Sequence, residues 1–285
     1  TKNMMAKFLF LIYYLLVSFF LFLVMVIDLL RKMVVKLLTM RKMAFLVIAL
    51  LGSGQIALAQ STSDFGVWMD AGVEKKLNKH WTLEGELGAR TRNNSKEMDR
   101  YSLGVGTDYK LNKYLKFSAG YNLLYDHRGG TQTYHKDGTV NKITPTYWWP
   151  RHRFLFGVTG SYSLGNLGLS LREMYQYTYR AKAKNKKYDT DTEEWEDVKS
   201  KSQHLLRSRF QMNYRLKHTP LTPFGSVEMY HGEGGLQKTR YTLGTNFSIA
   251  KHHDLKLYYR YQDLKDNDDD DLDTHVLGIG YNYKF

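Results

Sequence analysis

The closing stretch Val276-Leu277-Gly278-Ile279-Gly280-Tyr281-Asn282-Tyr283-Lys284-Phe285 decides the fold. Leu277, Ile279, Tyr281, Tyr283 and Phe285 fall on one side of an extended chain, and Val276, Gly278, Gly280, Asn282 and Lys284 on the other. Period two belongs to a strand with two different faces, because successive side chains of a strand point in opposite directions. One face here is apolar and aromatic, and the other is small and polar.

The same alternation runs back through the chain. Leu255, Leu257, Tyr259 and Tyr261 alternate with Lys256, Tyr258, Arg260 and Gln262. Tyr241, Leu243, Thr245, Phe247 and Ile249 alternate with Arg240, Thr242, Gly244, Asn246 and Ser248. Eleven strands are predicted, at 65–77, 81–92, 100–111, 115–126, 151–164, 167–180, 203–217, 222–231, 237–250, 254–264 and 274–285. Each has about 10–14 residues, enough for a tilted strand to cross a bilayer. No long segment after residue 59 fits helical spacing.

The connections alternate as well. Leu77-Asn78-Lys79-His80, Leu111-Asn112-Lys113-Tyr114, Gly165-Asn166 and Ala250 to Asp254 are tight turns, and 93–99, 127–150, 181–202 and 265–273 are longer polar loops. That asymmetry and the strand length predict an all-β fold, a transmembrane antiparallel up-and-down barrel. A soluble sandwich or lipocalin-like barrel would also alternate, but it would turn the aromatic face inward. Trp81, Tyr101, Tyr114, Tyr125, Trp148, Trp149, Tyr179 and Tyr230 stand near strand ends and are expected to form two interfacial belts. Single-chain bacterial barrels normally have an even strand number. Twelve strands are therefore expected, with ten as the alternative. Glu173 falls among outward Leu171, Tyr175 and Tyr177, so a bulge near Arg172–Glu173 is expected to rotate it inward.

The chain has 285 residues, a net charge of +13, 22 Tyr and no Cys. Without Cys there is no disulfide, thiolate metal site, cysteine nucleophile or lipid-modified N-terminal cysteine. Residues 1–59 differ from the rest. Phe8 to Ile27 is a long apolar run, and a second run, Ala44 to Leu51, follows Met40-Arg41-Lys42. The second run, with an A-x-A site at Ala57 and Ala59, reads as a signal peptide over 40–59, cleaved after Ala59. Residues 1–39 are then expected to be an upstream extension, with a membrane anchor as the alternative. The barrel domain is 60–285. From residue 60 onward 34 Lys and Arg stand against 27 Asp and Glu, too modest an excess to argue for nucleic acid.

The end of the chain, with Tyr281, Tyr283 and a final Phe285, resembles the C-terminal assembly signal of outer-membrane barrel proteins. The resemblance implies recognition by the barrel-assembly machinery, a Gram-negative outer membrane, and a periplasmic position for Phe285. The region from Asp64-Phe65-Gly66-Val67-Trp68 through Lys75-Lys76-Leu77-Asn78-Lys79 to Tyr281-Asn282-Tyr283-Lys284-Phe285 is similar to an uncharacterised family of outer-membrane barrels common in Bacteroides-type bacteria. That resemblance implies a fold and a location, but no activity.

Arg90, Arg92, Arg100, Arg151, Arg153, Arg172, Arg180, Arg207, Arg209, Arg215, Arg240 and Arg260 all fall on the polar face. Asp70, Glu74, Glu84, Glu86, Asp108, Asp126 and Glu228 share it, with Lys76, Lys110, Lys116 and Lys256. In a wide barrel this lining makes an anion-favouring pore; in a narrow one the charges pair and plug it. Acyl chemistry at a membrane would need a Ser nucleophile beside a His base. His152 could approach Ser161 or Ser163 only across several strand residues, so no catalytic residue is assigned. Asp266, Asp268 and Asp270 alternate as oxygen ligands do in calcium loops, but the central Gly and distal Glu are absent. They are a weak metal candidate beside a solvated acidic loop, and no cofactor is expected. Lys182, Lys184, Lys186 and Lys187 could meet lipopolysaccharide phosphates or that acidic loop, with a solvated loop as the default. The expectation is a monomer among outer-membrane lipid and lipopolysaccharide, acting as a small passive channel. A closed structural or surface-binding barrel and a lipid-modifying enzyme are the alternatives.

Overall fold

The computed structural model describes residues 63–265 and 273–285. The extension 1–39, the signal peptide with Ala57 and Ala59, and the acidic positions Asp266, Asp268 and Asp270 lie outside them. The described residues form fifteen strands: β1 (Ser63–Lys76), β2 (Trp81–Arg92), β3 (Glu97–Lys110), β4 (Leu115–Arg128), β5 (Thr131–Tyr134), β6 (Val140–Thr144), β7 (Tyr147–Leu164), β8 (Leu167–Arg180), β9 (Ala183–Asp189), β10 (Glu194–Val198), β11 (Lys201–Tyr214), β12 (Leu221–Gly232), β13 (Gly235–Ala250), β14 (His253–Leu264) and β15 (Asp273–Lys284).

Eleven of them close into a barrel, in the order β1-β2-β3-β4-β7-β8-β11-β12-β13-β14-β15. The wall segments are those the period-two pattern picks out, but the expected total of twelve, or ten, is corrected to eleven. An even number follows only if the closing pair is antiparallel. Here β1 runs parallel to β15, from Ser63 opposite Asp273 to Glu74 opposite Lys284. The chain therefore enters the wall at the long-loop end and leaves it at the short-turn end. There the Phe285 amide donates to the Glu74 carbonyl at 2.8 Å.

The short turns carry their own chemistry. Asn78 Oδ1 accepts from the amides of His80 and Trp81, both at 2.8 Å. Asn112 does the same for Tyr114 at 2.8 Å and Leu115 at 2.9 Å. These matching Leu-Asn-Lys turns use Asn as a local substitute for backbone pairing. At the other end Asn93, Asn94 and Ser95 are all left-handed, with φ of 52°, 52° and 64°. The Asp64 carboxylate holds that turn by accepting from the amides of Asn93 at 3.0 Å and Asn94 at 2.7 Å.

The loops at 127–150 and 181–202 are not plain loops. Each contains a hairpin, and β6 pairs with β9 to make a second sheet, β10-β9-β6-β5. Strands this short, rich in Lys, Asp and Thr, leave little periodic signal.

Side-chain parity sorts the wall. Leu87, Leu103, Val105, Phe156, Leu243 and Leu257 are exposed on the outside. The inside is mostly polar; Trp68, Phe224, Tyr258 and Val276 make its buried apolar cluster. Trp81, Tyr101, Tyr114, Tyr125 and Tyr179 are exposed on the outside, as the belt assignment requires of them. Trp148 stacks between Tyr101 and Tyr125 at ring-centroid distances of 5.4 and 5.2 Å. Two belt assignments are corrected: Trp149 is only 4% exposed and Tyr230 only 2%. Trp149 neighbours Trp148 and so takes the opposite face, while Tyr230 shares the parity of Glu228. The expected bulge at Glu173 is also corrected. The β7–β8 and β8–β11 registers run unbroken past it, with Glu173 opposite both Val158 and Ser208. Glu173 stays on the outer wall.

Candidate functional site: the charged lumen

The barrel encloses a cavity of ≈ 1890 Å³. Its lining runs from Asn94, Arg128 and Lys201 at the long-loop end to Glu74, Asp254 and Lys284 at the short-turn end. Among the described residues, seventeen Lys and Arg line it against ten Asp and Glu. Arg90, Arg92, Arg100, Arg151, Arg153, Arg172, Arg180, Arg207, Arg209, Arg240 and Arg260 are all there, with Glu84, Glu86, Asp108 and Glu228. Arg215 is not: β11 ends at Tyr214, and Arg215 is exposed in the following turn. Lys76 and Lys110 are likewise exposed, at their strand ends.

Two carboxylates organise the cations. Asp126 on β4 accepts from the Nε groups of Arg100 on β3 and Arg151 on β7, one to each oxygen. Glu228 on β12 accepts at Oε1 from Arg172 Nη2 at 2.6 Å and Arg207 Nη2 at 3.0 Å. Its Oε2 accepts from the Tyr230 hydroxyl at 2.9 Å. Arg240 Nη1 donates to that hydroxyl and stands 3.9 Å from Oε2. Arg207 also donates to Gln176 Oε1 at 3.1 Å. Four strands are thereby tied through one acidic side chain. Such charge-assisted bonds are the strong kind, and removal of their shared partner strands several buried charges.

Aromatic rings position further cations. Trp68 lies under Arg90, Arg260 and Arg240, at 3.9, 5.0 and 5.1 Å from their guanidinium carbons. Tyr230 sits under Lys238 at 4.6 Å and Arg207 at 4.8 Å. These contacts lie within ordinary cation–π range. Toward the short turns the lining changes sign. Asp70, Glu74, Glu84, Glu86 and Asp108 gather there, and Lys116 and Ser118 bind Asp108 at 2.5 and 2.6 Å.

Lys238 and Arg128 belong to the site although the sequence pattern did not single them out. Lys238 shares the parity of Arg240, and Arg128 that of Asp126, so the signal was present at strand ends that fall beyond clear alternation. Another feature missed is a set of outward Tyr–His pairs: Tyr121–His152 at 2.7 Å, Tyr175–His204 at 2.6 Å and Tyr259–His275 at 2.6 Å. His152 thus faces away from Ser161, which lines the cavity. Tyr281 meets His253 at 2.7 Å, and Tyr283 packs edge-on against Phe285 at 4.8 Å.

Solved structures similar to this chain are barrels. The β-domain of the Bordetella autotransporter BrkA has a TM-score of 0.49 at 15% identity, over 72% of this chain and 83% of its own. The NanC porin has a TM-score of 0.45 at 13% identity, over 78% and 99%. A Pseudomonas aeruginosa FadL homologue has 0.35 at 10%, over 73% and 64%. No curated protein matches. The family model described as "Protein of unknown function (DUF2490)" matches residues 65–273, and the chain belongs to that family.

Proposed function

We propose that this protein is an outer-membrane β-barrel whose lumen is a passive, anion-favouring path. The membrane placement is supported by the continuous apolar outer wall, which a water-soluble barrel would have to leave in solvent. The path is supported by one observation above the rest: a lumen lined from end to end, with seventeen cations against ten acids. Excess fixed positive charge in a water-filled bore raises the local anion concentration. Tyr281, Tyr283 and Phe285 point outward at the short-turn end, in keeping with a role as assembly signal. Planar-bilayer recordings of the refolded protein under a salt gradient test the path. Steps with an anion-selective reversal potential are expected; silence across a wide range of salt would sink it.

A closed structural barrel is the second reading. It is favoured by Asp126 and Glu228, whose pairs draw arginines of five strands together inside the bore. Arg207→Ala separates the two: it shifts reversal potential in a path and lowers only stability in a plug.

A further inference from the structure

We infer that the middle of the lumen is a binding site for a small multivalent oxyanion, held by Arg90, Arg153 and Lys238. This rests on the lumen being the functional site, and it assigns the class of solute that stops there.

Asp70 and Glu86 lie in the field of Arg90, but they share it with Lys256, and Asp70 with Arg260 as well; the other two acids of this region are already used. Both oxygens of Asp126 are engaged by Arg100 and Arg151, and both oxygens of Glu228 by Arg172, Arg207 and Tyr230. Among the described residues, Arg90, Arg153 and Lys238 form no salt bridge with a carboxylate. Arg153, on β7, instead stands in the field of Arg100, Arg207, Arg90 and Arg151. Lys238, on β13, stands in that of Arg240, Arg153, Arg100 and Arg207. The Nε atoms of Arg90 and Arg153 are enclosed and have no hydrogen-bond partner in the protein.

What fixes two of the three cations is aromatic. Arg90 lies 3.9 Å from the Trp68 ring, and Lys238 4.6 Å from Tyr230. A ring positions a cation without neutralising it, and a guanidinium stacked on a ring keeps its in-plane N–H groups for an acceptor. Arg90 from β2, sharing its acids with other cations, and Arg153 from β7 and Lys238 from β13, standing among cations, form a preorganised donor set with excess positive charge. A monovalent ion would balance one of the three. A compact oxyanion of two or more charges, of the phosphate or polycarboxylate kind, balances the set and accepts its N–H groups.

Titration of the detergent-solubilised barrel with inorganic pyrophosphate, followed by calorimetry at low ionic strength, tests the site. A citrate arm separates phosphate from carboxylate chemistry, and a sodium chloride arm at matched ionic strength reports screening alone. One saturable pyrophosphate or citrate site is expected. Arg153→Gln and Lys238→Gln should each weaken it by about tenfold or more, as loss of one charge-assisted hydrogen bond does. Lys116→Gln, which sits with Asp108 toward the short turns, should leave it within about twofold. Heat-modifiable gel migration certifies that each variant folds, and either variant alone decides the matter. No saturable binding, equal binding signal with chloride, or equal loss in Lys116→Gln overturns the site. Anion-selective conductance without saturable binding overturns the site and leaves the path standing; binding without conductance does the reverse.

Discussion

Ser208 donates a 2.6 Å hydrogen bond to Glu173, and both face outward from the middle of neighbouring strands β11 and β8. Phe156, Val158 and Phe210 surround this pair on the wall that we place in lipid. A carboxylate there is costly, though less so than a Lys or Arg at about 2–4 kcal/mol. Glu173→Leu should therefore stabilise the barrel by about 1–2 kcal/mol in urea unfolding from lipid vesicles. Ser208→Ala should destabilise it by about 1 kcal/mol, because the acid loses its donor. A destabilised Glu173→Leu barrel would place that side chain in a polar contact rather than in lipid.

Glu228 is the opposite case, an acid that many groups depend on. Glu228→Gln removes the charge shared by Arg172, Arg207 and Arg240. The cost should be about 3–5 kcal/mol, the range for one half of a buried ionic network. The temperature of the heat-induced gel shift reads it. Glu84→Gln, on the acidic side of the lumen, should be far milder.

Gly278 on β15 gives room to the Tyr258 ring. A Cβ at that position would lie 2.0 Å from the ring's Cζ. Gly278→Ala should thus push Tyr258 off its place in the Trp68–Phe224–Val276 cluster, at about 1–3 kcal/mol for an overpacked site. Gly278→Ala combined with Tyr258→Ala should recover part of that loss in the same unfolding assay. An additive double variant would mean that the clash is relieved elsewhere.

The sheet beside the barrel carries its own pH limit. Lys142 binds Asp189 at 2.7 Å and Glu196 at 2.9 Å. The Lys142 contact, with the amides of Asp191 and Thr192, holds the Asp189 carboxyl down to about 2. The same carboxylates push the Lys142 ammonium upward. A depressed acid contributes above its unfolded value of about 3.9 and loses that contribution as pH falls toward 2. A raised lysine contributes below its unfolded value of about 10.4 and loses it above. The sheet should be intact from about pH 4 to pH 10 and open toward pH 2. Fluorescence of Trp195, which packs on Tyr188 at 5.3 Å, reports the opening. Lys142→Met should move the acid transition upward.

How much of this was legible depends on range. Period two is local, so the wall strands and the inward face of Arg90, Arg153, Arg207 and Glu228 could be read from the chain itself. Closure is not local. The pairing of Ser63 with Asp273 joins distant ends, and only its parallel sense makes eleven strands consistent. Tyr230 and Trp149 lie inside although they stand near strand ends, because parity and not proximity to an end governs the face. Glu173 follows its parity outward, and Ser208 opposite supplies the donor that makes a bulge unnecessary. The pairing of β6 with β9 has no local signal, since Lys142 and Asp189 stand forty-odd residues apart in the chain with the wall strands β7 and β8 between them.

Trp148 and Trp149 are consecutive, and their faces test the orientation of the whole wall. Trp148 lies on the outside between Tyr101 and Tyr125, and Trp149 lies inside under Arg180, 4.2 Å from its guanidinium carbon. In two variants that each retain one of these tryptophans as the sole indole, vesicles of lipid brominated near the headgroup should quench Trp148 strongly and Trp149 little. Arg180→Ala should shift the emission of Trp149 and leave Trp148 unchanged, because only Trp149 loses a cation from its ring. Equal quenching of the two would mean that the aromatic outer wall is not in contact with lipid. Stronger quenching of Trp149 would mean that the barrel's faces are assigned the wrong way round, and with them the lumen.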